Sequence, residues 1–214
     1  MAVKEKLYLT YTTQSITTMA APMTKAQLKM GITIPYHKIR DELKTGHLIF
    51  CSGQYLFSGA IQRLTKSVWS HVAIIYKDEE LGRVLVLEAE PQIGIRLIPL
   101  SKYLQDYKGT RRPYKGIIYI AELEVPVAKE ELNDAISFGL DELTRPYDNW
   151  EIIRIMLRIL FKKGKREKNR NYICSELVRD AYNKANVQFH LTNSYISPSG
   201  IWNDNKVSIK YRLL

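Results

Sequence analysis

Apolar positions along this chain recur with two different periods, and the change from one to the other divides it. Between residues 47 and 123 they come in short runs rich in β-branched and aromatic side chains, each closed by glycine, proline or charge. These runs predict strands at 47–51, 72–76, 83–90, 93–98 and 117–123, with Ser52-Gly53 breaking the first. Short helices are expected over 36–43, over 57–64 with Ile61 and Leu64 inward, and over 100–107. Many short strands at close spacing imply an antiparallel, partly closed sheet.

From Ala128 the period becomes helical. Leu132, Ala135, Ile136, Leu140 and Leu143 share one face, Glu130, Glu131, Asp134 and Asp141 lie outward, and Arg145-Pro146 stops the run. A second helix, 149–162, confines Glu151, Arg154, Arg158 and Lys162 to one narrow stripe, so its apolar arc is unusually wide and belongs either in the core or against a partner surface. A third helix, 175–184, follows Cys174; after it come a loop at Ser197-Pro198-Ser199-Gly200 and a last strand at 207–213. The first 35 residues show little periodicity and are expected to be a partly ordered extension to a domain spanning 36–214. The fold class is α+β, a small, mostly antiparallel sheet or partial barrel packed on helices.

Composition narrows the setting. A chain of 214 residues that is 45% hydrophobic can bury one good core. Two cysteines are too few for a disulfide scaffold and form no zinc pattern, and no leader-like or membrane-spanning apolar stretch is apparent, so the expectation is a soluble, cytoplasmic protein. Much of the net charge of +10 sits at Lys162, Lys163, Lys165, Arg166, Lys168 and Arg170. Basic residues on one loop, without interleaved aromatics, are a weak sign of nucleic-acid binding and more often a solvated surface. Next to the apolar helix, though, they would let residues 150–170 dock on an anionic membrane.

Two distant positions carry the candidate chemistry. Cys174 opens a helix, where unpaired backbone N–H groups and the helix dipole favour thiolate, and His71 opens a strand. A cysteine and a histidine so placed are the nucleophile and base of a thiol hydrolase or acyltransferase. Cys51, inside an apolar strand, reads as a small buried hydrophobe. Glu88 and Glu90 share one strand face. His37, His47 and His190 show no partner pattern. Tyr147, after Pro146, reads first as a packing residue in a turn and second as a residue shaping a substrate cleft.

The segments Ser70-His71-Val72, Leu87-Glu88-Ala89, Arg145-Pro146-Tyr147-Asp148 and Tyr172-Ile173-Cys174-Ser175-Glu176-Leu177, in that order, resemble the circularly permuted NlpC-type papain-fold proteins, specifically the YiiX/YebB-like group. That group is similar to the lecithin:retinol acyltransferase proteins in placing histidine before cysteine. The resemblance covers roughly residues 44–213. It departs at His47, where the family has aspartate after glycine, and at Ala73, where it has glycine.

The resemblance implies a papain-like core, with cysteine on a helix, histidine on the sheet and a third polar residue, here Glu88, on the next strand. Cys174 would attack a carbonyl and form a thioester, His71 would move the proton, and Glu88 would orient the ring. The Cys174 backbone N–H would meet the oxyanion, and no metal or other cofactor is needed. The substrates implied are amides of peptides or peptidoglycan fragments. A lipid-directed acyltransferase or lipase is the alternative, and a non-catalytic basic binding module the third, disfavoured by the intact Cys174 and His71.

Overall fold

The computed structural model describes residues 23–91, 93–144, 173–190 and 196–214. Among these, six strands form one open sheet: β1 (Leu48–Gly53), β2 (His71–Asp78), β3 (Arg83–Glu90), β4 (Gly94–Pro99), β5 (Gly116–Leu123) and β6 (Val207–Arg212). Their order is β4-β3-β2-β1-β5-β6, and every ladder is antiparallel. The central strands carry unbroken apolar runs, Leu48–Cys51 in β1 and Val72–Tyr76 in β2. β1 is buried throughout, because both of its faces are covered.

The helices are α1 (Lys25–Met30), α2 (Tyr36–Ile39), α3 (Leu56–Thr65), α4 (Leu100–Gln105), α5 (Lys129–Asp141), α6 (Cys174–Lys184) and α7 (Pro198–Trp202). They lie on both sides of the sheet. On one side Leu48, Phe50, Val72, Ile74 and Leu87 pack against Ala135 and Ile136 of α5, Leu177, Val178, Ala181 and Tyr182 of α6, and Ile201 and Trp202 of α7. On the other, Ile49, Cys51, Ala73, Ile75 and Val86 pack against Ile39 of α2, Leu100 and Tyr103 of α4, and Tyr107 and Tyr114. Strand alternation alone accounts for the division.

Several elements differ from the sequence expectation for identifiable reasons. Within the extension expected to be partly ordered, residues 23–35 carry α1, closed by a Thr24–Gln27 capping box with its Leu28 fully buried. In α3 the inward residue is Gln62, with Ile61 and Leu64 only half-buried. The amide of Gln62 donates to the carbonyls of Gly53 (3.1 Å) and Val68 (3.0 Å) and to Ser52 Oγ (3.3 Å), so the helix is held by polar bonds to the end of β1. Ser52 and Gly53 extend β1 instead of breaking it.

In α5 the position facing the sheet is Gly139, where a Cβ would lie 2.2 Å from Leu87 Cδ2, while Leu140 is 36% exposed. The predicted loop at Ser197-Pro198-Ser199-Gly200 is instead the capped first turn of α7. The sheet is open, with β4 and β6 as its edges. The predicted helix 149–162, the basic run 162–170 and Tyr147 lie outside the described residues. No helix among the described residues is long and apolar enough to cross a membrane.

Candidate active site

Helix α6 is positioned by its apolar face and by two polar ties. Leu177, Val178, Ala181 and Tyr182 are fully buried against the sheet. The Tyr182 hydroxyl donates to the Gly46 carbonyl ahead of β1, and Ser175 Oγ donates to the Ile196 carbonyl at 2.9 Å. Cys174 is the first residue of the helix. Its thiol is free and half-buried, and it packs against the core on the α6 side.

His71 is the first residue of β2 and lies directly across from Cys51 of β1. At this end the sheet parts. The β2–β3 ladder runs from Asp78/Arg83 to Ile74/Leu87 and goes no further, while β1 stays paired with β2 as far as His71 and β4 stays paired with β3 as far as Glu90. Side chains bridge the divergence: His71 Nε2 lies 2.6 Å from Glu88 Oε2. The Cys174 side chain lies close enough to the ring to raise it, and with Nε2 committed to Glu88 the nitrogen left for the sulfur is Nδ1. Three residues spread over more than a hundred positions of sequence are thus brought to one place.

The electrostatics follow from this geometry. The Glu88 side chain is fully buried, and that of His71 is 14% exposed. Burial pulls the imidazole down, but its hydrogen bonds to Cys174 and Glu88 outweigh that and lift it from 6.5 to about 10. Burial pushes the Glu88 carboxyl up, and the bond to His71 together with the charges of His71 and Arg96 overcomes it, bringing the carboxyl down to about 2. Ionised carboxylate and protonated imidazole therefore stabilise each other in a setting where neither would be charged alone.

The structure also separates the two glutamates that strand alternation leaves equivalent. Glu90 lies 2.5 Å from Lys108 Nζ, whereas Glu88 meets His71, Arg96 and Tyr103. Arg96 and Tyr103 carry no motif, and only the β3–β4 register, which sets Arg96 opposite Glu88, could have suggested the first. Cys51 is fully buried, and burial pushes its thiol well up, with the charges of Glu88 and Cys174 adding to the effect.

His47 lies at the far end of β1, about 13 Å from the level of His71 at ~3.3 Å per strand residue. It is buried beside Glu122 at 3.6 Å, and burial with the nearby Lys210 charge lowers it to about 4. His190 sits near Asp204, at 3.3 Å. Among the described residues no cluster of three or more His, Cys, Asp or Glu has the arrangement of a metal site.

The family comparison agrees with this architecture. No curated protein sequence matches the chain. The solved structure of the metalloprotein YiiX from Escherichia coli O157:H7 is similar at 18% identity, over 79% of this chain and 97% of that one, with a TM-score of 0.47. The family described as permuted papain-like amidase enzymes, the YaeF/YiiX or C92 family, matches residues 42–207. That match takes in both strands of the split sheet and the whole of α6, and the chain belongs to the permuted papain-like amidase family.

Proposed function

We propose that this member of a papain-like amidase family is a cysteine hydrolase of peptide-type amides, with Cys174 as nucleophile, His71 as general base and acid, and Glu88 orienting the ring. The observation that carries the reading is the single imidazole 2.6 Å from Glu88 on one side, with the Cys174 side chain close enough on the other to raise the ring. Neither partner has another evident use for that ring at the split end of a sheet.

The chemistry runs in two halves. The Cys174 thiolate attacks the amide carbonyl carbon, and the C=O π electrons move to oxygen, giving a tetrahedral oxyanion. The Cys174 N–H, at the first position of α6 and so without an intrahelical acceptor, would donate to that oxygen. Collapse breaks the C–N bond, and the amine leaves with the proton held by His71, so that a thioester on Cys174 remains. Water, losing its proton to His71, then attacks the thioester, and the sulfur leaves as thiolate beside a re-formed imidazolium. Glu88 keeps its charge throughout and holds the tautomer with Nε2–H toward itself and Nδ1 toward sulfur.

The test is iodoacetamide labelling between pH 5 and 9, resolved by peptide mass spectrometry, on the wild type and on Cys174→Ala, His71→Ala and Cys51→Ala. Labelling near neutral pH is expected at Cys174, lost in Cys174→Ala, slowed about tenfold or more in His71→Ala, as for loss of a positioned base, and kept in Cys51→Ala. Label on Cys51 in the wild type, or undiminished labelling of Cys174 without His71, would overturn the assignment.

A further inference from the structure

Beyond the three residues of the proposed site, the carboxylate of Glu88 is held by two side chains that no motif marks. Arg96 Nε donates to Glu88 Oε1 at 2.8 Å, and Nη2 of the same guanidinium lies 2.7 Å from that oxygen. The hydroxyl of Tyr103, a fully buried residue of α4, donates to Oε2, the oxygen that also faces His71. The two oxygens are therefore divided: one is given to the guanidinium, the other shared by the tyrosine and the imidazole.

We propose that Arg96 and Tyr103 are positioning residues that keep Glu88 charged and aimed at His71, so that the competence of Cys174 depends on the β4 edge strand and on α4 as well as on the triad itself. The inference rests on the reading of Cys174, His71 and Glu88 given above. A carboxylate that met only an imidazole in a dry site would compete with it for one proton. A fixed cation on the far oxygen settles that competition in favour of the ionised carboxylate, and it does so without touching the ring. The tyrosine removes the remaining freedom, because an oxygen already accepting from a buried hydroxyl cannot rotate away from Nε2 without losing that bond.

Among the described residues, these two are the polar contacts of Glu88 besides His71. The groups that face it are His71 from β2, Arg96 from β4, Tyr103 from α4, Cys51 from β1 and Tyr107 from the turn after α4. Glu90, on its own strand, is taken up by Lys108, and Cys174 stands beyond the ring. Burial opposes the charge on Glu88, and among the influences that outweigh it are the charge of Arg96 and the hydrogen bond from Tyr103.

A structural brace and a positioning pair differ in what they do to titration. The experiment follows the Glu88 side-chain carboxyl by carbon NMR and the His71 ring by nitrogen NMR through a pH series, in wild type, Arg96→Gln, Arg96→Lys and Tyr103→Phe. Iodoacetamide labelling of Cys174 is measured on the same samples. The Glu88 midpoint is expected to rise by about one pH unit or more in Arg96→Gln, the shift typical of losing an opposite charge at contact distance. A smaller rise is expected in Tyr103→Phe, and in Arg96→Lys a return toward wild type.

Cys174 labelling at pH 5 to 6 should fall several-fold in any folded variant whose His71 midpoint moves down, because a less basic ring is a weaker base for the thiol. If Arg96→Gln fails to fold, Arg96→Lys and Tyr103→Phe still carry the comparison. Unmoved Glu88 and His71 midpoints in the folded variants, with Cys174 still silenced by His71→Ala, would overturn the positioning role and leave the triad standing. Labelling of Cys174 that ignores His71→Ala would remove the triad, and this inference with it.

Discussion

At the scale of single residues the most demanding position is Glu88. A carboxylate with no exposed surface is tolerated only when its charge and lone pairs are matched, and here one imidazole, one guanidinium and one hydroxyl do so. Glu88→Gln keeps the shape but leaves Arg96 and His71 facing a neutral amide. The expected cost is on the order of 3 kcal/mol, typical of removing one partner from a buried ion pair, read as a lower urea midpoint at unchanged slope. A loss below about 1 kcal/mol would mean that the pair adds nothing beyond what water offered its members. The three residues proposed for the site were legible at this scale because Cys174, His71 and Glu88 each sit at a marked place, a helix start, a strand start and the position before Ala89. Arg96 and Tyr103 were not, because nothing local distinguishes them from any arginine on an edge strand or any tyrosine in a short helix.

At the scale of elements, periodicity placed the strands well and erred where a polar residue turned inward. In α3 a helical wheel favours Ile61 and Leu64 as the buried pair, yet Gln62 is buried because the last carbonyl of β1 and that of Val68 need a donor. Gln62→Leu should therefore destabilise, by about 1–3 kcal/mol for two carbonyls left without their donor, although it adds apolar surface. Urea unfolding checks this, and a gain in stability would show that apolar packing decides α3 after all. In α5 the same rule appears in reverse. A glycine faces the sheet because Leu87 leaves no room for a Cβ, and so Leu140, which fits the heptad pattern, turns toward solvent. The start of α7 was readable in principle, since serine followed by proline is a helix-start signature.

At the scale of the whole molecule, buried titratable groups set how stability varies with pH. His71 is raised in the folded state to about 10 from 6.5, so its contribution is fully present below 6.5 and is lost as pH rises through 10. Glu88 is lowered to about 2 from 4.5, so its contribution holds above 4.5 and is lost as pH falls through 2. His47 is lowered to about 4 from 6.5, so its burial as a neutral ring favours the fold above 6.5 and ceases to do so as pH falls through 4. The melting temperature should therefore be highest near pH 6.5 and decline on both sides. His71→Gln should flatten the alkaline decline and His47→Gln part of the acidic one. A melting temperature still rising between pH 7 and 9 in the wild type would contradict the protonated state assigned to His71.

The order of strands and helices, the antiparallel character of the sheet and the identity of the sulfur and the imidazole were properties of the sequence by itself, because each depends on near neighbours along the chain: alternation, helical spacing, a residue at an element's first position. What only the tertiary structure decided was that Glu88 and not Glu90 meets His71, the parting of β2 from β3 beside them, and the guanidinium and phenol that hold Glu88. These depend on register and on how far two strands stay paired, and the free energy that sets them comes from packing between segments distant in sequence, which no local pattern records.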